Sequence, residues 1–481
     1  MSAAVLRSRL TGQIDPAQEK QYLLVPFTVP AAAARIAVDL AYSEQISSDP
    51  TLAGGNTLDL GIFDQRGAGP SGAGYRGWSG SERLSIFLAE DAAAPGYSAG
   101  PLLPGTWNVV LGLYKIGPRG CTYTLDITVT LKDAAAAAGA SPAVSTAGGT
   151  QALPVTSRPW YRGELHCHSW HSDGAGAPAE VAARARANGL DFLAVTDHNS
   201  SAAWADLLSI PDPGLALIAG VEVTTFHGHF NAWGITDFVD FRVSAPAEMA
   251  AALAFARERG ALTSCGHPKP FGPNWDFTTV TNYDCIEIWN GPWTGLNEVS
   301  LHFWLEQLAA GRRIPAVGGS DYHRPGETAG GSQRDLGTPT NWVYLPDPPP
   351  ADLAGADPAG AGAILRAVRA GRLSISDRPD GPFLALFGGH DGAVCMGGAV
   401  PTAADGTAVL RVTWRGAAGL TLRLLDENGE VKYTGAPGGG EETLALTVPA
   451  RGSRCIYAEL RSAEEKMRAV TNPIYFAPGP A

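Results

Sequence analysis

Cysteine is scarce: there are six in 481 residues, at positions 121, 167, 265, 285, 395 and 455, and no two form a C-x-x-C pair. That spacing indicates neither a zinc ribbon nor a disulfide framework, and it fits a reducing cytoplasm, the expected location. No run reaches the roughly 18 uncharged apolar residues of a membrane helix. The N-terminal MSAAVLRSRLTGQIDPAQEK lacks the apolar stretch of a secretion signal. Positive charge is also in deficit, with 35 Lys and Arg against 47 Asp and Glu and a formal net charge of -12. A membrane surface or a broad nucleic-acid surface would need a basic stripe to displace counterions, so neither is expected as a partner. Any anionic substrate has to be attracted locally.

The length exceeds the roughly 100 to 200 residues of one domain, so two or three cores are expected. Residues 1–131 read as short strands such as YLLVPFTV, RIAVDLAY and CTYTLDITVTL broken by Gly/Pro turns, which predicts an N-terminal β-sandwich. Residues 132–159 are nearly all Ala, Gly, Ser, Thr and Pro and predict a linker. Over 160–377 apolar runs alternate with helical patterns such as APAEVAARARANG, the signature of a parallel α/β architecture. Strand texture returns over 378–481, with ENGE as a hairpin-turn signal, and predicts a C-terminal β domain.

The chemistry concentrates in the third of these segments. Nine of the ten histidines fall between His166 and His323. In GELHCHSWHSDG, His166 and His168 are one residue apart, a spacing that on a strand points both imidazoles to one side. Asp173 follows in a Ser-Asp-Gly turn. Apolar runs then keep ending in ligand-type residues: DFLAVTDHN with His198, LIAGVEV with Glu222, FHGHFNAWG with His229, LTSCGHPKP with His267, and AVGGSDYHRP with Asp321 and His323. In a βα barrel such strand ends converge on one rim.

These segments resemble the PHP family, the polymerase and histidinol phosphatase superfamily, whose pattern H-x-H, S-D-G, T-D-H, G-x-E, G-H, H-P and S-D-x-H is met here in order. The resemblance implies an α/β fold with a distorted (β/α)7 PHP barrel flanked by N-terminal and C-terminal all-β, sandwich-like domains. It implies that His166, His168 and Asp321 hold one ion, His229 and His267 a second, and Asp173, His198 and His323 a third, with Glu222 bridging the first two. Glu222, Asp321 and His323 become the expected catalytic residues. The β units on both sides and the closing RAVTNPIYF resemble the carbaryl hydrolase branch of that family.

Imidazoles mixed with carboxylates suit Mn, Zn, Fe or Co better than Mg or Ca, so two or three divalent transition-metal ions are the expected cofactors. Three carboxylates against four or six metal charges leave a positive pocket that draws in a phosphate ester. A hydroxide between two ions is a nucleophile available at neutral pH. The expected activity is therefore phosphomonoester or phosphodiester hydrolysis of a small molecule or nucleotide. Lys269, Arg324, Asn290 and Arg162 adjoin the ligand motifs and are candidate phosphate contacts.

Other readings stand beside this one. Carbamate or carboxylic ester hydrolysis on the same metal site is the alternative, motivated by Trp170, Trp233, Trp275 and Trp289 near the motifs. A non-catalytic barrel carrying binding β domains requires a missing ligand, and none is missing. A lone histidine is usually structural, which is the reading for His302 and His390. His171 and His227 lie near ligands but outside the pattern, and His227 could replace His229. Asp197 either orients His198 or caps a turn, and Cys167, Cys265 and Cys285 fill apolar space.

Overall fold

The computed structural model describes residues 4–132, 159–211, 214–270, 274–329, 331–346 and 360–477. Nearly all of the expected linker at 132–159 lies outside these residues. Among them the chain is mixed α/β and strand-rich, with five α-helices.

The N-terminal strands form two antiparallel four-stranded sheets. One joins Val5–Ile14, Cys121–Leu131, Ala33–Tyr42 and Ser85–Ala89, and the other Tyr22–Val29, Gly105–Lys115, Thr57–Phe63 and Tyr75–Gly80. Alternation of buried and accessible side chains along Cys121–Leu131 is the two-residue period of a half-buried strand. Ile36, Leu60, Trp107 and Leu125 fill the space between the sheets. Thr57–Phe63 is buried along its whole length. Leu58, Leu60 and Ile62 face the sandwich core, whereas Phe63 joins Trp78 and Val110 in a second cluster with Val239 and Phe241 of the central region. Tyr22 stacks on Phe226 across this junction, with centroids 4.9 Å apart. Such a pair contributes about 0.5–1.5 kcal/mol beyond its buried area, so the sandwich is docked rather than tethered.

In the central region Trp160–Glu164, Phe192–Ala194 and Ala216–Ile218 run parallel. A second sheet is ordered Gly220–Thr225, Gly228–Trp233, Leu262–Cys265, Cys285–Asn290 and Ala316–Gly319. Two isolated parallel bridges, Cys167 to Tyr322 and His198 to Glu222, join the sheets on either side. Helices Pro178–Ala187, Pro246–Glu258 and Gly295–Ala309 follow strands of this set, the first two opening on a proline where no N–H partner is needed.

The expected all-parallel order does not hold throughout. Gly228–Trp233 is antiparallel to both of its neighbours. Only Phe226 and His227 separate it from Gly220–Thr225, and a link that short can join strands only as a hairpin, with Gly228 at φ 139°. The boundary expected at 377 is crossed by a sheet: Leu373–Ser376 pairs with Thr340–Tyr344 on one side and Met467–Thr471 on the other. The ENGE turn joins the paired strands Thr421–Asp426 and Val431–Gly435. No helix among the described residues is long and apolar enough to cross a membrane.

Candidate metal centre

All nine ligand-type side chains gather where the central strands end. His166 and His168 lie just past Trp160–Glu164 and are buried, while Cys167 between them turns into a separate apolar cluster with Val181 and Leu193. Glu164 anchors this stretch. Its carboxylate accepts the backbone N–H groups of Leu165, His166, Ser320 and Gly337 and so ties the H-x-H and S-D-x-H segments together. Close approach also requires Gly319, where a Cβ would stand 2.4 Å from His166 Cβ.

Glu222 is the hub. Its oxygens lie 3.4 Å from His166 Nε2, 3.7 Å from His168 Nε2, 2.8 Å from His198 Nδ1, 2.9 Å from His229 Nδ1 and 3.1 Å from His267 Nε2. Asp321 Oδ1 is 3.0 Å from His168 Nε2 and 3.5 Å from His166 Nε2. Asp173 Oδ1 is 3.3 Å from His323 Nε2 and 3.5 Å from His198 Nε2. Ligand atoms within 4.8 Å of one another form three groups: His166, His168 and Asp321; His166, Glu222 and His267; and His168, Asp173, His198 and His323. Eight of the nine expected ligands fall in these groups, with His166 and His168 each shared by two. His229 stands outside them but against Glu222.

Hydrogen bonds at Nδ1 orient three of the rings. His166 Nδ1 donates to Glu287 Oε1 at 2.9 Å, His323 Nδ1 to the Asp321 carbonyl at 2.8 Å, and His198 Nδ1 to Thr224 Oγ1 at 2.6 Å. A bound metal would take the place of the proton on each Nε2 while Nδ1 stays held by these partners. His198 Nδ1 also lies 2.8 Å from Glu222 Oε2, an oxygen with no hydrogen bond. His166 Nε2, His229 Nε2, His267 Nδ1 and Asp173 Oδ1 are likewise buried without hydrogen-bond partners. Buried unpartnered polar atoms are costly unless something positive lies beside them, and the N/O donor set suits a divalent transition metal.

Charge is strongly coupled here. Burial opposes ionisation of Glu222, but His166, His229 and His198 hold its carboxyl well below the usual carboxylate range. Burial and the neighbouring His323 and His198 push His168 down to about 4, so it stays neutral and able to ligate. Asp321 and His267 adopt positive φ, 50° and 26°, values that non-glycine residues hold only where surroundings compel them.

Of the expected substrate contacts, Lys269 and Asn290 meet each other beside the centre, Nζ to Oδ1 at 2.7 Å, and Asn290 Nδ2 is 3.4 Å from Glu287. Arg324 reaches the Asp173 carbonyl at 3.4 Å from an exposed position. Arg162 is elsewhere: it lies near the start of Trp160–Glu164, 3.8 Å from Asp191 and over the Trp342 ring. It lines a cavity of about 510 Å³ that includes none of the nine ligands, which removes it from the site. His227 pairs with Asp276 and leaves His229 in place beside Glu222. Asp197 accepts from Ser169 N, Ser169 Oγ and Ser172 Oγ, so it caps the loop bearing Asp173 rather than orienting His198. Trp233 and Trp289 are core residues at 1% exposure.

Two residues of the centre were not anticipated. Glu287 holds both His166 and the His267 N–H, and a lone acid inside the apolar run CIEIWN was its signal, because a buried carboxylate needs partners. Arg334 donates from Nη1 to the Asp321 carbonyl at 2.7 Å and to Oδ2 at 3.0 Å. It sits in a loop with no periodic pattern to mark it.

Residues 164–262 match the family model of the PHP domain. The matched stretch carries six of the nine ligands, from His166 to His229. Over 63 residues the chain is 41% identical to a 5'-3' exoribonuclease of Haemophilus influenzae, which is 13% of this chain and 23% of that enzyme's own length. A two-domain Bacteroides vulgatus protein containing a predicted PHP-like metal-dependent phosphoesterase overlaps 68% of this chain and 98% of its own at 16% identity and a TM-score of 0.39. A Chromobacterium violaceum amidohydrolase with bound sulfate overlaps 36% of this chain and 91% of its own at 19% identity and a TM-score of 0.26. Neither overlap is deep enough to carry topology or activity across. The PHP-domain match overlaps the stretch of chain whose His, Asp and Glu groups could hold a metal ion.

Proposed function

We propose that this chain hydrolyses a phosphate ester, a phosphomonoester or phosphodiester of a small molecule or nucleotide, with two or three divalent ions of Mn, Zn, Fe or Co. The observation that carries the reading is the convergence of nine ligand-type side chains with five buried, unpartnered polar atoms. His166, His168 and Asp321 would hold one ion, His267 with Glu222 and His229 a second, and Asp173, His198 and His323 with His168 a third. Bound ions supply a lowered pKa for coordinated water and neutralise phosphate charge.

The remaining roles fall to the chain. Glu222 and Asp321 keep their protons off and hold negative charge at the centre, Lys269 offers a buried ammonium beside Asn290, and Arg324 offers a guanidinium at the rim. Residues 160–377 would be the catalytic body, their strand ends read as a distorted seven-membered βα ring, with 1–131 and 378–481 as supporting β units. The name of the Haemophilus influenzae relative, a nuclease, favours the phosphodiester arm, whereas the charge of -12 disfavours a long nucleic-acid track.

The carbamate or carboxylic ester reading, with its carbaryl hydrolase likeness, loses Trp233 and Trp289 to the core and has less to support it. One assay separates the two. Apo protein reloaded with each metal is offered 4-nitrophenyl phosphate, bis(4-nitrophenyl) phosphate, nucleoside monophosphates, a dinucleotide and 1-naphthyl N-methylcarbamate, with bound metal measured by elemental analysis. Metal-dependent turnover of a phosphate ester is expected. Turnover of the carbamate alone would overturn the phosphoesterase reading.

A further inference from the structure

Two loops supply Asp173 and His198 of the third ligand group. Both are held by the N-terminal sandwich as well as from the central region, where Asp197 accepts from Ser169 and Ser172 and Asn199 Oδ1 accepts from the Thr224 N–H. Residues 169–176 carry Asp173 and residues 197–200 carry His198. Neither loop has a helix or strand of its own, although His198 forms a bridge with Glu222.

The N-terminal sandwich holds both. Arg83 Nη1 donates to the Ser172 carbonyl at 2.7 Å, one residue from Asp173. Tyr75 Oη donates to the Asn199 carbonyl at 2.6 Å, one residue from His198. Gly96 serves both loops at once: its N–H donates to His171 Nδ1 at 2.9 Å, and its carbonyl accepts from Ser200 Oγ at 3.1 Å. With Nδ1 accepting, the His171 proton sits on Nε2 and is donated to Asp206 at 2.9 Å, which fixes the ring. Gly96 adopts φ 86°, and a Cβ there would stand 2.5 Å from the His171 carbonyl, so only glycine allows this approach. His171, Ser172, Asn199 and Ser200 are all buried beneath these contacts.

By contrast, the groups containing Glu222, His267 and Asp321 are held from within the central region, by Glu164, Glu287 and Arg334. The dependence on the sandwich is therefore selective.

We infer that the N-terminal sandwich is a working part of the metal centre, in which Tyr75, Arg83 and Gly96 position Asp173 and His198 so that the group His168, Asp173, His198 and His323 can take a divalent cation. This rests on the reading of those four side chains as cation ligands. Tyr75 and Arg83 are positioning residues; they touch loop carbonyls and not the ligands.

The test uses the full chain, stripped of metal and titrated with Co²⁺, with ions bound per chain and their affinities read from elemental analysis and from the visible absorption of each site. Tyr75→Phe combined with Arg83→Met removes two donors but leaves the Tyr75 ring packed on Phe238, 4.3 Å between centroids. The expected result is three ions in the unaltered chain and, in the double variant, one of the three weakened by about 10- to 100-fold with the other two unchanged. Restoring a donor with Tyr75→Phe plus Arg83→Lys should recover most of the loss. Three sites of unchanged affinity with only a lower melting temperature, all three weakened alike, or only two ions in the unaltered chain would each overturn the inference. Uptake of no transition metal by the unaltered chain would remove the phosphoesterase reading itself, which is a separate failure.

Discussion

Replacing Glu222 by Gln tests the hub of the centre most directly. The substitution keeps size and shape but removes the charge that five imidazoles surround at 2.8 to 3.7 Å. Even outer hydrogen-bond partners of metal ligands contribute about 10- to 100-fold to affinity, and loss of a shared carboxylate belongs at or beyond the upper end. A 100-fold loss is about 2.7 kcal/mol. Ligand-linked stabilisation falls by the same amount at fixed metal concentration, and at roughly 2 °C per kcal/mol for a large chain this removes about 5 °C from the rise in melting temperature that metal produces. Because the unloaded protein also uses Glu222 to pair with histidines, the quantity to read is the difference between loaded and unloaded melting temperatures. An equal metal-induced rise in Glu222→Gln and in the unaltered chain would refute Glu222 as a ligand and with it the arrangement of the centre.

Two further outcomes follow from individual contacts. Arg334→Met frees Asp321 from the two hydrogen bonds that hold it at φ 50°, and metal affinity measured by competition with a chromophoric chelator should weaken about 10- to 100-fold, with Arg334→Lys in between; unchanged affinity would exclude this role. In the sandwich, burial of Asp59 between Trp78 and Gly112 pushes its carboxyl up to about 7. A raised carboxyl makes the folded state bind the extra proton, so its cost to stability is absent at low pH, grows as pH rises toward 7, and is complete above it. Asp59→Asn should therefore raise the melting temperature more at pH 8 than at pH 5.5, and an equal shift at both would show that the carboxyl is not held there.

The chemistry was legible because ligand types follow apolar runs: Asp197-His198 comes soon after Phe192–Ala194, and Glu222 soon after Ala216–Ile218. The hairpin at 220–233 was less legible, since LIAGVEVTT and HFNAWG have the same apolar texture whether neighbours run parallel or antiparallel, and only the two-residue link decides. Trp233 and Trp289 read as site residues by proximity in sequence, but both are buried in apolar clusters, Trp233 with Leu165 and Leu262 and Trp289 with Ile288 and Trp304. Arg162 misled for a related reason: four residues before His166 is one strand length away, at the other end.

Residue types, their order and the local periodicities of strand and helix were determined by the sequence alone, and with them the identity of the nine candidate ligands and the N/O donor chemistry they bring. Tertiary structure decided which remote groups met them. Glu287 on His166, Arg334 on Asp321, and Tyr75, Arg83 and Gly96 on the two ligand loops lie between 13 and 124 residues from their partners. Periodicity encodes which way a side chain points along its own strand; it carries no information on which distant strand or loop packs across from it, because that is settled by burial of whole faces against one another.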